Sequence, residues 1–278
     1  MITGATKLVG IIGHPVAQSL SPVMHNAAFK EQDLDWAYLA FDVEPDKVPD
    51  AVEAIRALAL KGVNVTMPYK SIVIPYLNEI DGAARIAESV NTIVNNKGKL
   101  EGYSTDGEGF LRAAAEEGVS PEDAKVFIVG AGGSARAIAA AISKAGAARV
   151  DICCRDDDAA KKIGDTFRQV KKIGYSAVKF DGRSVDRLAE ADIVINATPL
   201  GKENYDELTF LVDGLQPRHF VADLSTVPPL SAFLVAAQKR GCKAMGGLGM
   251  LVHQGAISYL LWTGREAPVE AMKRAVGA

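Results

Sequence analysis

The stretch GVNVTMPYK, residues 62–70, interleaves Asn64 and Thr66 with the apolar Val63 and Val65, then closes on a proline and Lys70. Such alternation marks a strand with one buried face, so Lys70 falls at the strand's mouth. SVNTI supplies Asn91, and YSTDGEGF supplies Asp106 between Thr105 and Gly107, in what reads as a loop. GHPVAQSLSPVMHN sets Ser19 and Ser21 two apart just before Pro22. Proline suits the first position of a helix, so both hydroxyls stand at a helix entrance, able to donate to an anion or to serve as an ordinary cap. Singly, each of these polar residues reads most simply as structural. Together they form a set of neutral hydrogen-bonding groups with one cation and one anion, which suits a small polyhydroxylated ligand.

A second constellation lies in KVFIVGAGGSARAIAAAISKAG. Gly130, Gly132 and Gly133 separate a buried-type strand from an alanine-rich helix, so backbone N–H groups at a helix start can approach a pyrophosphate without side-chain obstruction. The spacing is G-x-G-G rather than the full G-x-G-x-x-G, and the flanking strand and helix carry the reading toward a dinucleotide. The next strand, RVDICCRDDD, ends where such a fold chooses between a ribose 2′-hydroxyl and a 2′-phosphate. Arg155 favours the phosphate. Asp156 and Asp157 repel it, and they also fit as ordinary partners of a helix's first turn. Two carboxylates against one guanidinium favour NAD, with NADP possible.

The elements that position these groups alternate between strand-like apolar runs and helical patterns, the signature of a parallel sheet with crossover helices. The class is α/β with two domains: a substrate domain over residues 1–106, with C-terminal helices 249–278 returning to it, and a Rossmann-like dinucleotide-binding domain over 107–248. Asn95, Asn96 and Gly98 between two alternating runs signal a hairpin in the first half. With 278 residues, 48% hydrophobic and 23% charged, the chain can bury a sizeable core. A net charge of -3 without blocks of like charge argues against a nucleic-acid surface or a membrane patch. Neither a long apolar run nor a signal-peptide pattern is present, so the expected address is cytoplasmic. The three cysteines, Cys153, Cys154 and Cys242, have neither disulfide-framework nor zinc spacing and read as reduced, with no metal expected. No motif decides between monomer and homodimer.

In order and spacing, SLSPVMHN, NVTMPYK, SVNT, YSTDG, VGAGGSARA, NATPLG and GLGMLVHQGA resemble the shikimate and quinate dehydrogenase family across essentially the whole chain. The resemblance implies an enzyme that interconverts a ring hydroxyl and a ketone with a nicotinamide cofactor, taking shikimate or quinate as its small-molecule substrate. It implies that Ser19 and Ser21 contact the substrate carboxylate, that Asn64, Thr66, Asn91, Asp106 and Gln254 contact ring hydroxyls, and that Lys70 and Asp106 are the catalytic pair. The cofactor would lie along Gly130, Ala131, Gly132, Gly133 and Ser134, with Arg155, Asp156 and Asp157 at the ribose and Thr198, Leu224 and Gly247 on later strand ends. A lysine ordinarily titrates near 10.4, and burial would have to lower that value for it to act as a base near neutrality, whereas a neighbouring carboxylate pulls the other way. The two are therefore read as one coupled pair.

Three positions depart from the family pattern. Cys154, Arg155 and Asp156 stand where Asn-Arg-Thr is frequent, Thr226 stands where a substrate-touching tyrosine is usual, and Lys202 follows NATPLG where methionine is common. The room left at Thr226 keeps open a modified, for example aminated, shikimate-like ring. A non-catalytic sensor is the other alternative, since a fold never proves turnover, and intact Lys70 and Asp106 weigh against it.

Overall fold

A computed structural model describes residues 2–156, 158–159, 161, 163–164, 174–180 and 185–278. The chain divides into two compact units, Met1–Gly109 with Leu251–Ala278, and Phe110–Met250.

In the first unit the strands are β1 (Lys7–Gly13), β2 (Trp36–Asp42), β3 (Gly62–Val65), β4 (Glu79–Ile80), β5 (Thr92–Asn96) and β6 (Lys99–Tyr103), with helices α1 (Ser21–Glu31), α2 (Val48–Ala57) and α3 (Gly82–Ala87). They form one sheet in the order β2-β1-β3-β5-β6-β4. The sheet is mixed rather than parallel throughout: β1 runs parallel to β2 and β3, while β5 runs antiparallel to β3 and β6. The physical cause is the hairpin turn. Lys97 and Gly98 both take positive φ, 53° and 94°, the geometry that matches the twist of antiparallel strands, and the Asn95 side chain accepts the Gly98 N–H at 2.7 Å.

The second unit begins within α4 (Asp106–Glu116) and continues through β7 (Lys125–Val129), α5 (Gly133–Lys144), β8 (Arg149–Cys154), β9 (Gly174–Lys179), α6 (Val185–Glu190), β10 (Ile193–Asn196), α7 (Thr209–Gly214), β11 (Phe220–Asp223), α8 (Ala232–Lys239) and β12 (Lys243–Met245). Its sheet is parallel in the order β12-β11-β10-β7-β8-β9. Numbered from β7, that is the doubly wound 3-2-1-4-5-6 arrangement, whose strand order reverses between β7 and β10. Strands covered on both faces read as continuous apolar runs, and Val126–Val129 and Ile193–Asn196 are buried throughout.

Helix α9 (Gly247–Thr263) leads into α10 (Val269–Val276), and residues from Leu251 onward belong to the first unit. Val252, Ala256, Tyr259 and Trp262 join Val9, Ile11, Met24, Phe29 and Tyr38 in one core. Trp262 Nε1 donates to the Ile93 carbonyl at 3.0 Å. Among the described residues no helix is long and apolar enough to cross a membrane.

Candidate active site

Lys70 and Asp106 meet. The ammonium donates to Asp106 Oδ2 at 2.5 Å, and the side chains are 17% and 6% exposed. Lys70 is carried on the turn that leaves β3, where its carbonyl accepts the Val90 N–H at 2.7 Å. The preceding Tyr69, fully buried, donates its hydroxyl to the Val43 carbonyl. Asp106 is the first residue of α4 and not part of a loop. A carboxylate is favoured at a helix's first turn, where it faces the positive end of the dipole.

Asn91 joins the pair to the rest of the cluster. Its Oδ1 accepts the Thr105 backbone N–H at 2.8 Å, and since a backbone N–H can only donate, the orientation of the carboxamide is settled. The Nδ2 group must then point the other way, donating to Asp106 Oδ1 at 2.8 Å, with Thr105 Oγ1 at 2.8 Å and Gln254 Oε1 at 3.2 Å also in reach. Each oxygen of the Asp106 carboxylate thus has a donor, as a buried charge requires. Gln254, from α9, can sit here because Gly109 has no side chain: a Cβ at Gly109 would lie 2.7 Å from both the Gln254 Cβ and its backbone nitrogen.

Asn64, on β3, is 4% exposed and donates to the Asn91 carbonyl at 3.1 Å. Thr66 is half-buried, its methyl against Gly13, where an added Cβ would come within 2.2 Å. Neither Ser19 nor Ser21 caps α1 through its side chain. Leu20 is the cap residue, and Ser19 Oγ accepts the Ser21 N–H at 3.3 Å. Ser21 is buried.

In the second unit, Gly130 takes φ +112°, a region that glycine occupies without strain, and an added Cβ would press on Thr198 Cγ2 at 3.1 Å. Thr198 is therefore held against the turn after β7. Its hydroxyl donates to Asn196 Oδ1 at 2.7 Å, and Asn196 Nδ2 reaches Asp223 Oδ2 at 3.3 Å. Gly247 packs on the Leu224 carbonyl, with room for no Cβ (2.4 Å). Gly132 differs from these. Its φ is -72°, no side chain caps α5, and an added Cβ would meet no atom within 4 Å. Among the described residues nothing requires glycine there, and bare backbone at a helix N-terminus would suit an anionic group. Ala131 and Ser134 flank this bare position. Arg155 and Asp156 follow β8, both exposed. Asp156 Oδ1 accepts the backbone N–H groups of Asp158 and Ala159, each at 3.0 Å, while Asp157 lies outside the described residues. Among those residues no group of side chains could hold a metal ion.

A doubly wound parallel sheet with its glycine turn at the switch point is the architecture of a dinucleotide-binding oxidoreductase domain, and the other unit holds a lysine–aspartate ion pair among amides. The family models agree: a shikimate dehydrogenase substrate binding domain matches residues 11–93, a shikimate / quinate 5-dehydrogenase model matches 113–227, and a shikimate 5'-dehydrogenase C-terminal domain matches 247–276. A shikimate dehydrogenase (NADP(+)) of Alkaliphilus metalliredigens is 41% identical over 279 residues, covering 99% of this chain and 98% of that one. Another of the same name, from Methanopyrus kandleri, is 43% identical, covering 99% and 96%. The structure of a shikimate 5-dehydrogenase from Listeria monocytogenes in complex with shikimate and NAD superimposes with a TM-score of 0.90 at 37% identity, covering 98% of this chain and 97% of that one. The chain belongs to the shikimate and quinate dehydrogenase family and is an NAD(P)-dependent enzyme.

Sequence reasoning passed over Tyr38, Thr92, Thr105 and Ser258, all buried polar residues bonded into the cluster. The available signal was the presence of hydroxyls at strand and helix positions that periodicity marks as core.

Proposed function

We propose that the chain interconverts shikimate and its 3-dehydro ketone with NADP as the preferred cofactor. The observation that carries this is the Lys70–Asp106 ion pair, fixed by Asn91 inside a cluster of amides and hydroxyls. Oxidising a secondary alcohol removes a hydride and a proton. A bound nicotinamide supplies the acceptor for the hydride, and the chain's task is the proton. Lys70 and Asp106 act as one coupled unit, which takes the hydroxyl proton in one direction and returns it in the other. Asn64, Asn91 and Gln254 hold ring hydroxyls, Thr66 borders them, and Ser19 and Ser21 meet the carboxylate. Gly130, Ala131, Gly132, Gly133 and Ser134 cradle the pyrophosphate, with Thr198, Leu224 and Gly247 along the strand ends.

The preference for NADP reverses the balance read from composition around β8. Asp156 Oδ1 is engaged as a cap for the following backbone N–H groups, which leaves only Oδ2 of its carboxylate for a ribose hydroxyl. Arg155 is exposed, and no described residue bonds its guanidinium. An exposed fork of N–H donors beside the ribose suits a 2′-phosphate, and the relatives from Alkaliphilus and Methanopyrus carry NADP(+) in their names. The test is cofactor reduction followed spectrophotometrically with shikimate and quinate, each offered with NAD and NADP. The highest kcat/KM is expected for shikimate with NADP. No reduction with either acid refutes the reaction, and a tenfold preference for NAD refutes the cofactor.

A further inference from the structure

Three buried hydroxyls outside the substrate set converge on Asn64. Tyr38, on β2, donates to Asn64 Oδ1 at 2.8 Å. Thr92 Oγ1, on β5, and Ser258 Oγ, on α9, lie 3.0 and 3.1 Å from Asn64 Nδ2, and 2.7 Å from each other. Tyr38 is 1% exposed, Thr92 and Ser258 0%. None of them can touch a ligand.

The Asn64 carboxamide is oriented by the Asn91 carbonyl, which lies 3.1 Å away and can only accept, so the NH2 end faces it. Ser258 Oγ donates to the Gln254 carbonyl at 3.0 Å. The serine oxygen is then an acceptor alone, and the 2.7 Å contact with Thr92 requires the threonine to donate. The Thr92 oxygen faces Asn64 as an acceptor too. Of the two ends of the Asn64 carboxamide, only the NH2 can face two acceptors. Oδ1 is thereby turned toward Tyr38, whose hydroxyl must donate. The protons of Nδ2 are used within the chain, and Oδ1 keeps one lone pair uncommitted. The ring of Tyr38 is itself held in place, stacked on His25 with centroids 4.5 Å apart and planes 5° from parallel.

We propose that Tyr38, Thr92 and Ser258 are positioning residues that lock the Asn64 carboxamide with Oδ1 as the acceptor for a substrate hydroxyl. The inference rests on the assignment of Asn64 to the substrate made under Proposed function. It makes the grip on that hydroxyl depend on a tyrosine and a serine that never reach it.

Tyr38→Phe removes the donor and keeps the ring in its stack with His25. The expected result is a KM for shikimate raised about tenfold, with kcat changed less than about threefold and the Asn64 side-chain amide resonances displaced in the 1H–15N spectrum. Ser258→Ala moves both readouts the same way, and Ser258→Thr, which restores a hydroxyl, recovers them. On an Asn64→Ala background, Tyr38→Phe adds no further rise in KM, because the group it acts through is gone. Multiplying losses in that double variant, an unchanged KM in Tyr38→Phe, or Asn64 amide resonances that stay in place would each overturn the proposal. If the unaltered enzyme fails to turn over shikimate, the substrate assignment falls instead, and the amide resonances alone decide whether the three hydroxyls lock Asn64.

Discussion

Replacing Lys70 by methionine keeps an unbranched side chain of similar reach and deletes the ammonium, which lies 2.5 Å from Asp106 Oδ2. Two consequences separate cleanly. If Lys70 moves the proton, turnover falls by the scale of general acid–base catalysis, about 10²- to 10⁴-fold or roughly 2.7–5.5 kcal/mol in the barrier, with a much smaller change in KM. The second consequence is structural. Asp106 is 4% exposed, and stranding a buried charge costs about 3–5 kcal/mol. The Lys70 side chain is 17% exposed, so water replaces part of what the ammonium gave and the low end, about 3 kcal/mol, is expected. At about 2–4 °C per kcal/mol for a chain of this size, Tm drops roughly 6–12 °C. The double variant Lys70→Met/Asp106→Asn removes the stranded charge as well, so it recovers most of the lost Tm while turnover stays down. Stopped-flow or steady-state cofactor absorbance gives the rates, and calorimetry gives Tm. Near-normal kcat with only KM raised would make Lys70 a binding residue and refute the mechanism. A double variant as unstable as Lys70→Met alone would refute the electrostatic account of the pair.

Arg155→Ala is expected to raise KM for NADP by tenfold or more and to leave KM for NAD within about twofold; equal losses with both cofactors would place the guanidinium elsewhere. Replacing Ser19 and Ser21 together by alanine should raise KM for shikimate, each lost hydrogen bond to a charged group being worth roughly 1.5–3 kcal/mol, while KM for NADP is unchanged. The same loss with a carboxamide analogue of the substrate would show that these serines do not read the carboxylate. His25 is fully buried and burial lowers its pKa to about 3. Because the unfolded chain binds the proton near pH 6.5 and the folded chain does not, the native state loses roughly 1.4 kcal/mol per pH unit as pH falls from 6.5 toward 3. Urea unfolding at pH 7 and pH 4.5 should show that His25→Phe has a shallower loss than the unaltered protein, and equal slopes would contradict the linkage.

The second unit was largely legible because its signals are local: a continuous apolar run at KVFIV, a glycine turn, and an alanine-rich helix, each in its expected place. Strand order across the sheet is not local. Nothing in the periodicity orders β10 beside β7 with β8 on its far side. In the first unit, β4 has two residues and α3 has six, too few for either period to register, and neither was anticipated. Asp106 was misread for a related reason. Thr105, Asp106 and Gly107 form a turn-like string, and Gly107 and Gly109 weaken helix propensity, yet Gly109 is needed where Gln254 comes close. A contact between residues far apart in sequence therefore set the local structure. The chemistry-bearing side chains were visible by type and motif, while Tyr38 and Ser258, placed by strand and helix positions that look like plain core, were not. Asp156 had two readings in the sequence, dipole partner or ribose contact, and its bonds to Asp158 and Ala159 match the first.

The first unit is assembled from two stretches of chain separated by the whole of Phe110–Met250. At about 5–20 residues per second of synthesis, that intervening stretch takes on the order of ten seconds to make. During that interval the core around Val9, Ile11, Met24 and Tyr38 lacks Tyr259 and Trp262, and Asn64 lacks the Ser258 oxygen. A ribosome-bound nascent chain at this stage carries Lys70 and Asp106 but an unfinished amide cluster and an open apolar face. The inserted unit is complete before the unit whose two stretches flank it in sequence, so the unit begun first is finished last, and a chain truncated before Leu251 leaves the core around Val9 and Met24 without its last layer.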